Sequence, residues 1–139
     1  HPRHDKIYSL PSNDSRAIRN IYVVGLVNPG ILALVSDLIE RLEGMLEGGQ
    51  DNALLRFSLG NAYLAFDPQT AAEHLRRALE HDPKYSAAWK LLGQAVTQSG
   101  EKQAAVEIYQ QGIEIAESNG DKQAAKEMQV FLKRILRSS

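Results

Sequence analysis

The chain of 139 residues contains no cysteine, and its formal net charge at pH 7 is only −1. The absence of cysteine excludes a disulfide framework and a thiol nucleophile. A charge this close to zero gives no overall argument for binding to nucleic acid or to an anionic membrane. The sequence also lacks the motifs of phosphate-binding, dinucleotide-binding and serine-hydrolase sites. We therefore expect neither an enzyme nor a cofactor.

Two segments of the chain repeat one pattern of small and large residues. Gly60 and Gly93 mark equivalent places, and their separation of 93 − 60 = 33 residues is close to the period of about 34 residues found in helix-turn-helix repeats. A small residue lets two helices approach closely, and large residues such as Tyr63 and Trp89 fill the space beside it. The pattern predicts stacked helical pairs, an architecture that presents a binding surface.

At these residues the chain resembles the tetratricopeptide repeat family. The second copy carries the family pattern through Trp89, Leu92, Gly93 and Ala105, and the first copy carries it through Leu59, Gly60, Tyr63, Ala71, Leu75, Ala78 and Pro83. Arg56 stands where tryptophan is usual in the first copy. The resemblance implies an all-α solenoid of about two full repeats plus flanking N-terminal and C-terminal capping helices. It also implies a non-catalytic protein-interaction module.

Helical periodicity predicts six helices, at about residues 36–47, 53–66, 69–81, 85–99, 102–117 and 121–137. The first resembles the second helix of an incomplete repeat, because its Leu42 and Leu46 stand 33 residues before Leu75 and Leu79. Asp67 followed by Pro68 predicts a capped start for the third helix, and Ser86 is the predicted cap of the fourth. The last helix is expected to close the open end of the stack.

Residues 1–34 do not follow the repeat pattern, so the predicted domain comprises residues 35–139. The run 21–27, followed by Asn28, Pro29 and Gly30, resembles a strand and a turn. Three interpretations stay open for residues 1–34. In the first, the segment is a secretory signal or membrane anchor. In the second, it is loosely docked structure with a short helix that runs from Ile31 into the helix at Ser36. Alternatively, the native protein begins near Val35 and the preceding residues are upstream sequence that is not native.

The family resemblance also implies where a ligand binds. In that family the first helix of each pair lines a concave groove. Transfer of the groove positions, with Ala125 taken as the first residue of the last repeat, gives an apolar patch, amide groups and cations: Phe57, Asn61, Leu64, Lys90, Gln94, Lys126 and Lys133. We therefore expect a protein or peptide partner with acidic groups or a C-terminal carboxylate.

Some of these residues resemble the carboxylate clamp with which certain members hold the acidic tails of heat-shock chaperones. Asn61 and Lys126 fall at clamp positions, whereas Phe57 and Leu91 depart from the clamp pattern. The resemblance therefore leaves the specificity of the clamp in doubt.

Other features suggest alternative functions. His74 and His81 lie on one helix face, but their spacing is not that of a helical zinc site, so we expect solvated residues and no metal. The basic last helix provides one alternative, association with nucleic acid. A real membrane anchor provides the other, an assembly or chaperone factor for envelope proteins. The main expectation is a cytoplasmic protein that has no small-molecule substrate and contacts neither nucleic acid nor a membrane.

Overall fold

The computed structural model describes residues 29–138, and this part of the chain contains six α-helices and no strand. We number them α1 (Pro29–Glu47), α2 (Ala53–Tyr63), α3 (Pro68–His81), α4 (Ser86–Gln98), α5 (Lys102–Ser118) and α6 (Lys122–Arg137). The predicted all-α class and the order of the six helices are confirmed. The strand proposed at 21–27 lies outside the described residues.

Helix α1 begins at Pro29 and not near residue 36 as predicted. Proline is favoured in the first turn of a helix because its missing N–H would be unpaired there in any case, so the expected turn at Pro29 is a helix start. Farther along, α1 buries Ile39 and packs Val35, Leu42 and Leu46 against the core. The division of the chain at residue 35 stays a prediction.

Side-chain caps fix the starts of α2, α3 and α6, and that of α6 is the Asp121 side chain, which accepts from the Ala124 N–H. The Asn52 side chain accepts a hydrogen bond from the Leu55 N–H at the start of α2. As predicted, Asp67 caps α3 by accepting from the Thr70 N–H, and Pro68 follows it. The prediction for Ser86 is wrong: Tyr85 is the N-cap of α4 and makes no side-chain cap bond. Ser86 Oγ instead accepts a hydrogen bond from the Asn119 amide.

Glycine allows the two helices of each repeat to approach closely, as the sequence predicted. A Cβ atom added to Gly60 on α2 would lie 2.5 Å from Leu75 Cγ on α3. A Cβ added to Gly93 on α4 would overlap the Tyr109 ring on α5. Both contacts would be too close for real carbon atoms, so a larger residue at either position requires the packed partner to move.

Trp89 contributes to the contact between repeats but is only partly buried. Its indole N–H donates to the Pro83 carbonyl at 2.9 Å, and its ring lines a shallow cleft with Leu79 and Ile108. Leu92, the other large residue of this part of the pattern, is buried and only 3% exposed. Most helices pack chiefly against their neighbours in sequence, and α4 also contacts α2 and α6.

Candidate functional site: a row along the first helices

The N-caps of α2, α4 and α6 define equivalent positions in the three first helices. These caps are Asn52, Tyr85 and Asp121, so the offsets are 85 − 52 = 33 and 121 − 85 = 36 residues. The second offset is longer because α5 has 17 residues whereas α3 has 14. A constant period of 33 therefore misplaces α6.

Counted from these N-caps, the four groove positions of the family stand 2, 5, 9 and 12 residues along each of the three segments. We call them the first-helix row: Leu54, Phe57, Asn61 and Leu64 on α2; Ala87, Lys90, Gln94 and Thr97 on α4; and Gln123, Lys126, Val130 and Lys133 on α6. All seven residues singled out from the sequence belong to the row. Sequence reasoning missed Val130, which is 52% exposed, because it took Ala125 as the first residue of the repeat.

An aromatic contact links α2 to the start of α4. The rings of Phe57 and Tyr85 are stacked with centroids 4.9 Å apart and planes inclined by 24°. Phe57 is therefore half-buried and has a fixed partner. One helical turn earlier, Leu54 is 66% exposed. Among the apolar row residues of α2, Leu54 is thus the more accessible contact for a ligand.

An ion pair links α4 to α6. Lys90 Nζ donates to Glu127 Oε1 at 2.8 Å, and this hydrogen bond lowers the pKa of the Glu127 carboxyl group. The charge of Lys90 is thus already partnered. Lys126 and Lys133 are exposed and form no ion pair with any residue in the range 29–138. The accessible positive charge of the row therefore lies on α6.

Two further residues bear on the resemblance to the carboxylate clamp, one against it and one in its favour. Leu91, which departs from the clamp pattern, is only 9% exposed and belongs to the core. Asn61 is exposed and keeps an amide group available on α2. The row therefore offers an amide, exposed apolar side chains and two accessible lysines.

His74 occupies a packed polar site, so the expectation of a solvated residue is wrong for it. Its ring stacks on Tyr63, with centroids 5.6 Å apart. Arg56 Nη1 lies 3.1 Å from His74 Nδ1, and the histidine nitrogen must accept because arginine only donates. The other ring nitrogen of His74, Nε2, lies 3.5 Å from Glu43 Oε1 on α1. Burial, together with the charge of Arg56, lowers the pKa of His74.

Asp51 connects this site to His81. Its two carboxylate oxygens accept from Arg56 Nε and Nη2 at 2.8 and 2.9 Å, and Oδ1 also lies 2.9 Å from His81 Nε2. These contacts hold the pKa of Asp51 well below its usual range, with the Arg56 hydrogen bond the largest cause. The network joins the α1–α2 loop to α3. Arg56 at the usual tryptophan position was the feature of the sequence that could have revealed it.

The described residues show no arrangement of three or more His, Cys, Asp or Glu side chains that could hold a metal ion. The contacts of the two histidines are instead those of a structural network that fastens α2, α3 and α1 together.

Comparison with known proteins gives the family of this chain. The TPR repeat-containing protein PA0015 of Pseudomonas aeruginosa is 55% identical over 102 residues, which are 73% of this chain and 97% of that protein. The chain belongs to the tetratricopeptide repeat family. A family model described as tetratricopeptide repeat (TPR) matches residues 64–127. TPR proteins are in general non-catalytic interaction modules, in agreement with the sequence analysis.

Two further similarities support the TPR assignment. The solution structure of protein BPP2914 from Bordetella parapertussis has a TM-score of 0.66 and 46% identity, and the match covers 72% of this chain and 88% of that one. Small glutamine-rich tetratricopeptide repeat-containing protein 2 of Mycosarcoma maydis is 42% identical over 50 residues, or 36% of this chain and 14% of that protein.

Proposed function

We propose that this TPR domain binds a peptide segment of a partner protein along the first-helix row. The observation that carries the proposal is the combination of exposed apolar and cationic side chains at equivalent positions of packed helices. Leu54 and Val130 expose 66% and 52% of their surfaces, and Lys126 and Lys133 lie on the same helix as Val130. Such side chains can bind an extended ligand through apolar contacts and charge-assisted hydrogen bonds together.

The distribution of charge predicts the ligand. The α2 part of the row carries Leu54, Phe57 and Leu64, whereas the α6 part carries two lysines that lack an ion pair within residues 29–138. We therefore expect an apolar side chain near α2 and a carboxylate, from an acidic residue or a C-terminus, near α6. Lys90 contributes only if the ligand displaces Glu127.

Peptide selection from a random displayed library, with the full chain as bait, would test this proposal. A selected peptide is then synthesised with a free C-terminus and with an amidated one, and its affinity is measured by fluorescence anisotropy at several salt concentrations. Replacing Lys126 and Lys133 together with alanine should weaken binding by about tenfold at low salt, equivalent to about 1.4 kcal/mol. Because salt screens exposed charges, the loss should shrink as salt rises.

Leu54→Ala should weaken binding at every salt concentration, because apolar contacts are not screened. Lys84→Ala is the matched control, since Lys84 is exposed but lies in the α3–α4 loop and does not belong to the row. Equal affinity of all these variants for the selected peptide would refute the proposed site.

No particular observation favours the two alternative functions over this one. The described helices include none that is long and apolar enough to cross a membrane. A cytoplasmic location stays a prediction.

A further inference from the structure

The N-terminal end of the stack is a second helix that lacks its first helix within residues 29–138. In the 33-residue register, Leu38 and Met45 of α1 correspond to Ala71 and Ala78 of α3. The two alanines are completely buried, at 0% exposure, whereas Leu38 and Met45 are 41% and 40% exposed. The side of α1 that corresponds to a covered side of α3 is therefore apolar and open.

The C-terminal end of the stack is a first helix, α6, that lacks its second helix within residues 29–138. Counted from the N-caps, Gln129 of α6 is equivalent to Gly60 and Gly93, the glycines that face the second helix of their own repeat. Gln129 is exposed, and the part of the chain that the structure describes provides no second helix after α6. It borders a shallow pocket of about 380 Å³ together with Glu117, Lys122, Ala125 and Lys126.

We propose that α1 of one copy of this chain packs against the α6 pocket of a second copy, so that the two chains complete one repeat between them. The charges of the two helices are complementary. Four acidic residues and Arg41 give α1 a formal charge of 1 − 4 = −3. Five basic residues and Glu127 give α6 a charge of 5 − 1 = +4.

The pocket also matches α1 locally. Its lysines, Lys122 and Lys126, provide partners for the carboxylates of α1, such as the exposed Asp37. Arg41 lies between Leu38 and Met45 on the same helical stripe, and Glu117 at the border of the pocket offers it a carboxylate. An apolar stripe on an acidic helix thus meets an open pocket on a basic helix.

The same features determine the strength and the geometry of the association. Gln129 in place of glycine prevents the close approach found within a chain, so the contact is weaker than an α2–α3 pair. The two surfaces differ, so the interface is of the head-to-tail kind, which adds copies without a fixed limit unless a ring closes. The low net charge of −1 opposes this growth very little.

Sedimentation equilibrium of the full chain, without any peptide, tests this association, in which Lys126 of the row also takes part. The weight-average mass should rise above the 15.4 kDa of one chain as protein concentration increases, continue past two chains, and fall as salt is added. An α6 variant (Lys122→Glu with Lys126→Glu) and an α1 variant (Asp37→Lys with Glu40→Lys) should each associate at least about tenfold more weakly. An equimolar mixture of the two variants should regain the mass of the parent, since every interface between them again joins opposite charges.

Three results would overturn the proposal. In the first, the parent stays monomeric up to about 1 mM at low salt, which is also the result expected if residues 1–28 cover α1. In the second, the α1 variant loses association but the α6 variant does not, which indicates a symmetric α1–α1 dimer. In the third, the mixture is no heavier than the variants measured alone. If a charge reversal alters the melting curve, the neutral substitutions Lys122→Gln with Lys126→Gln and Asp37→Asn with Glu40→Gln repeat the comparison of each single variant with the parent, without the mixture.

Discussion

The sharpest test of the packing is the substitution Gly93→Ala. The added methyl group would overlap the ring of Tyr109, which is only 1% exposed. Inserting a methyl group into a packed core costs about 1–3 kcal/mol, whereas replacing glycine by alanine inside a helix gains up to about 1 kcal/mol. Because a buried ring is a rigid neighbour, we expect the upper part of the cost and a net loss of about 1–2 kcal/mol of unfolding free energy.

Urea and thermal denaturation followed by circular dichroism measure this change. For a chain of 139 residues, a loss of 1 kcal/mol lowers the melting temperature by about 4 °C. Gly44→Ala is the matched control, since Gly44 lies within α1 and a Cβ added there meets no atom within 4 Å. It gains helix propensity without a clash, so it should stabilise the protein by up to about 1 kcal/mol.

Opposite shifts for the two glycine variants are therefore the expected outcome. A double variant with Tyr109→Ala adds a second check, because space opened beside position 93 should make Gly93→Ala less harmful. The reasoning would be refuted if both glycine variants shifted stability in the same direction, or if Gly93→Ala cost as much without the ring as with it.

Two further predictions concern charged side chains. Glu127→Gln should release Lys90 and strengthen binding of an acidic peptide several-fold at low salt, as measured by fluorescence anisotropy. Glu114→Gln, at an exposed position on α5, is the control. Equal affinities of the two variants would show that the Lys90–Glu127 ion pair does not compete with the ligand. For His74, the folded-state pKa is lowered, so the unfolded chain takes up a proton more readily below its ordinary pKa of about 6.5. The unfolding free energy should therefore fall as pH is lowered from about 7.5 to 5, and this slope should be smaller in His74→Gln. Identical slopes would contradict the assignment of this pH dependence to His74. Losses below about pH 4.5 belong to Asp51 and Glu127, whose pKa values are also lowered.

The features of this fold that could be predicted are those determined by neighbouring residues or by the constant spacing of the repeat. Asp67 before Pro68 predicted a capped helix start because both residues act on their own backbone. Gly60 and Gly93 predicted close helix contacts because the repeat fixes their partners at constant spacing. The start of α1 was missed because Pro29 is equally compatible with a turn and with the first turn of a helix.

The unpredictable part depends on contacts between distant residues. Lys90 and Glu127 are 37 positions apart, and nothing local to either shows that α4 brings the ammonium to α6. The row position of Val130 was missed because Ala125 was taken as the first residue of the last repeat, whereas α6 begins three residues earlier, at Lys122. Helix boundaries are among the least certain features of a sequence reading.

The packing of most helices against their neighbours in sequence has a kinetic consequence. Contacts between adjacent helices require little loop closure, so the domain should fold rapidly and form its helices in local pairs. Protection of backbone amides against hydrogen exchange should then vary along the stack. Helix α1 buries only Ile39, whereas α4 buries more than half of its 13 residues. Exchange should therefore be fastest in α1 and slowest in α4, so that the stack opens from its N-terminal end while the centre stays closed.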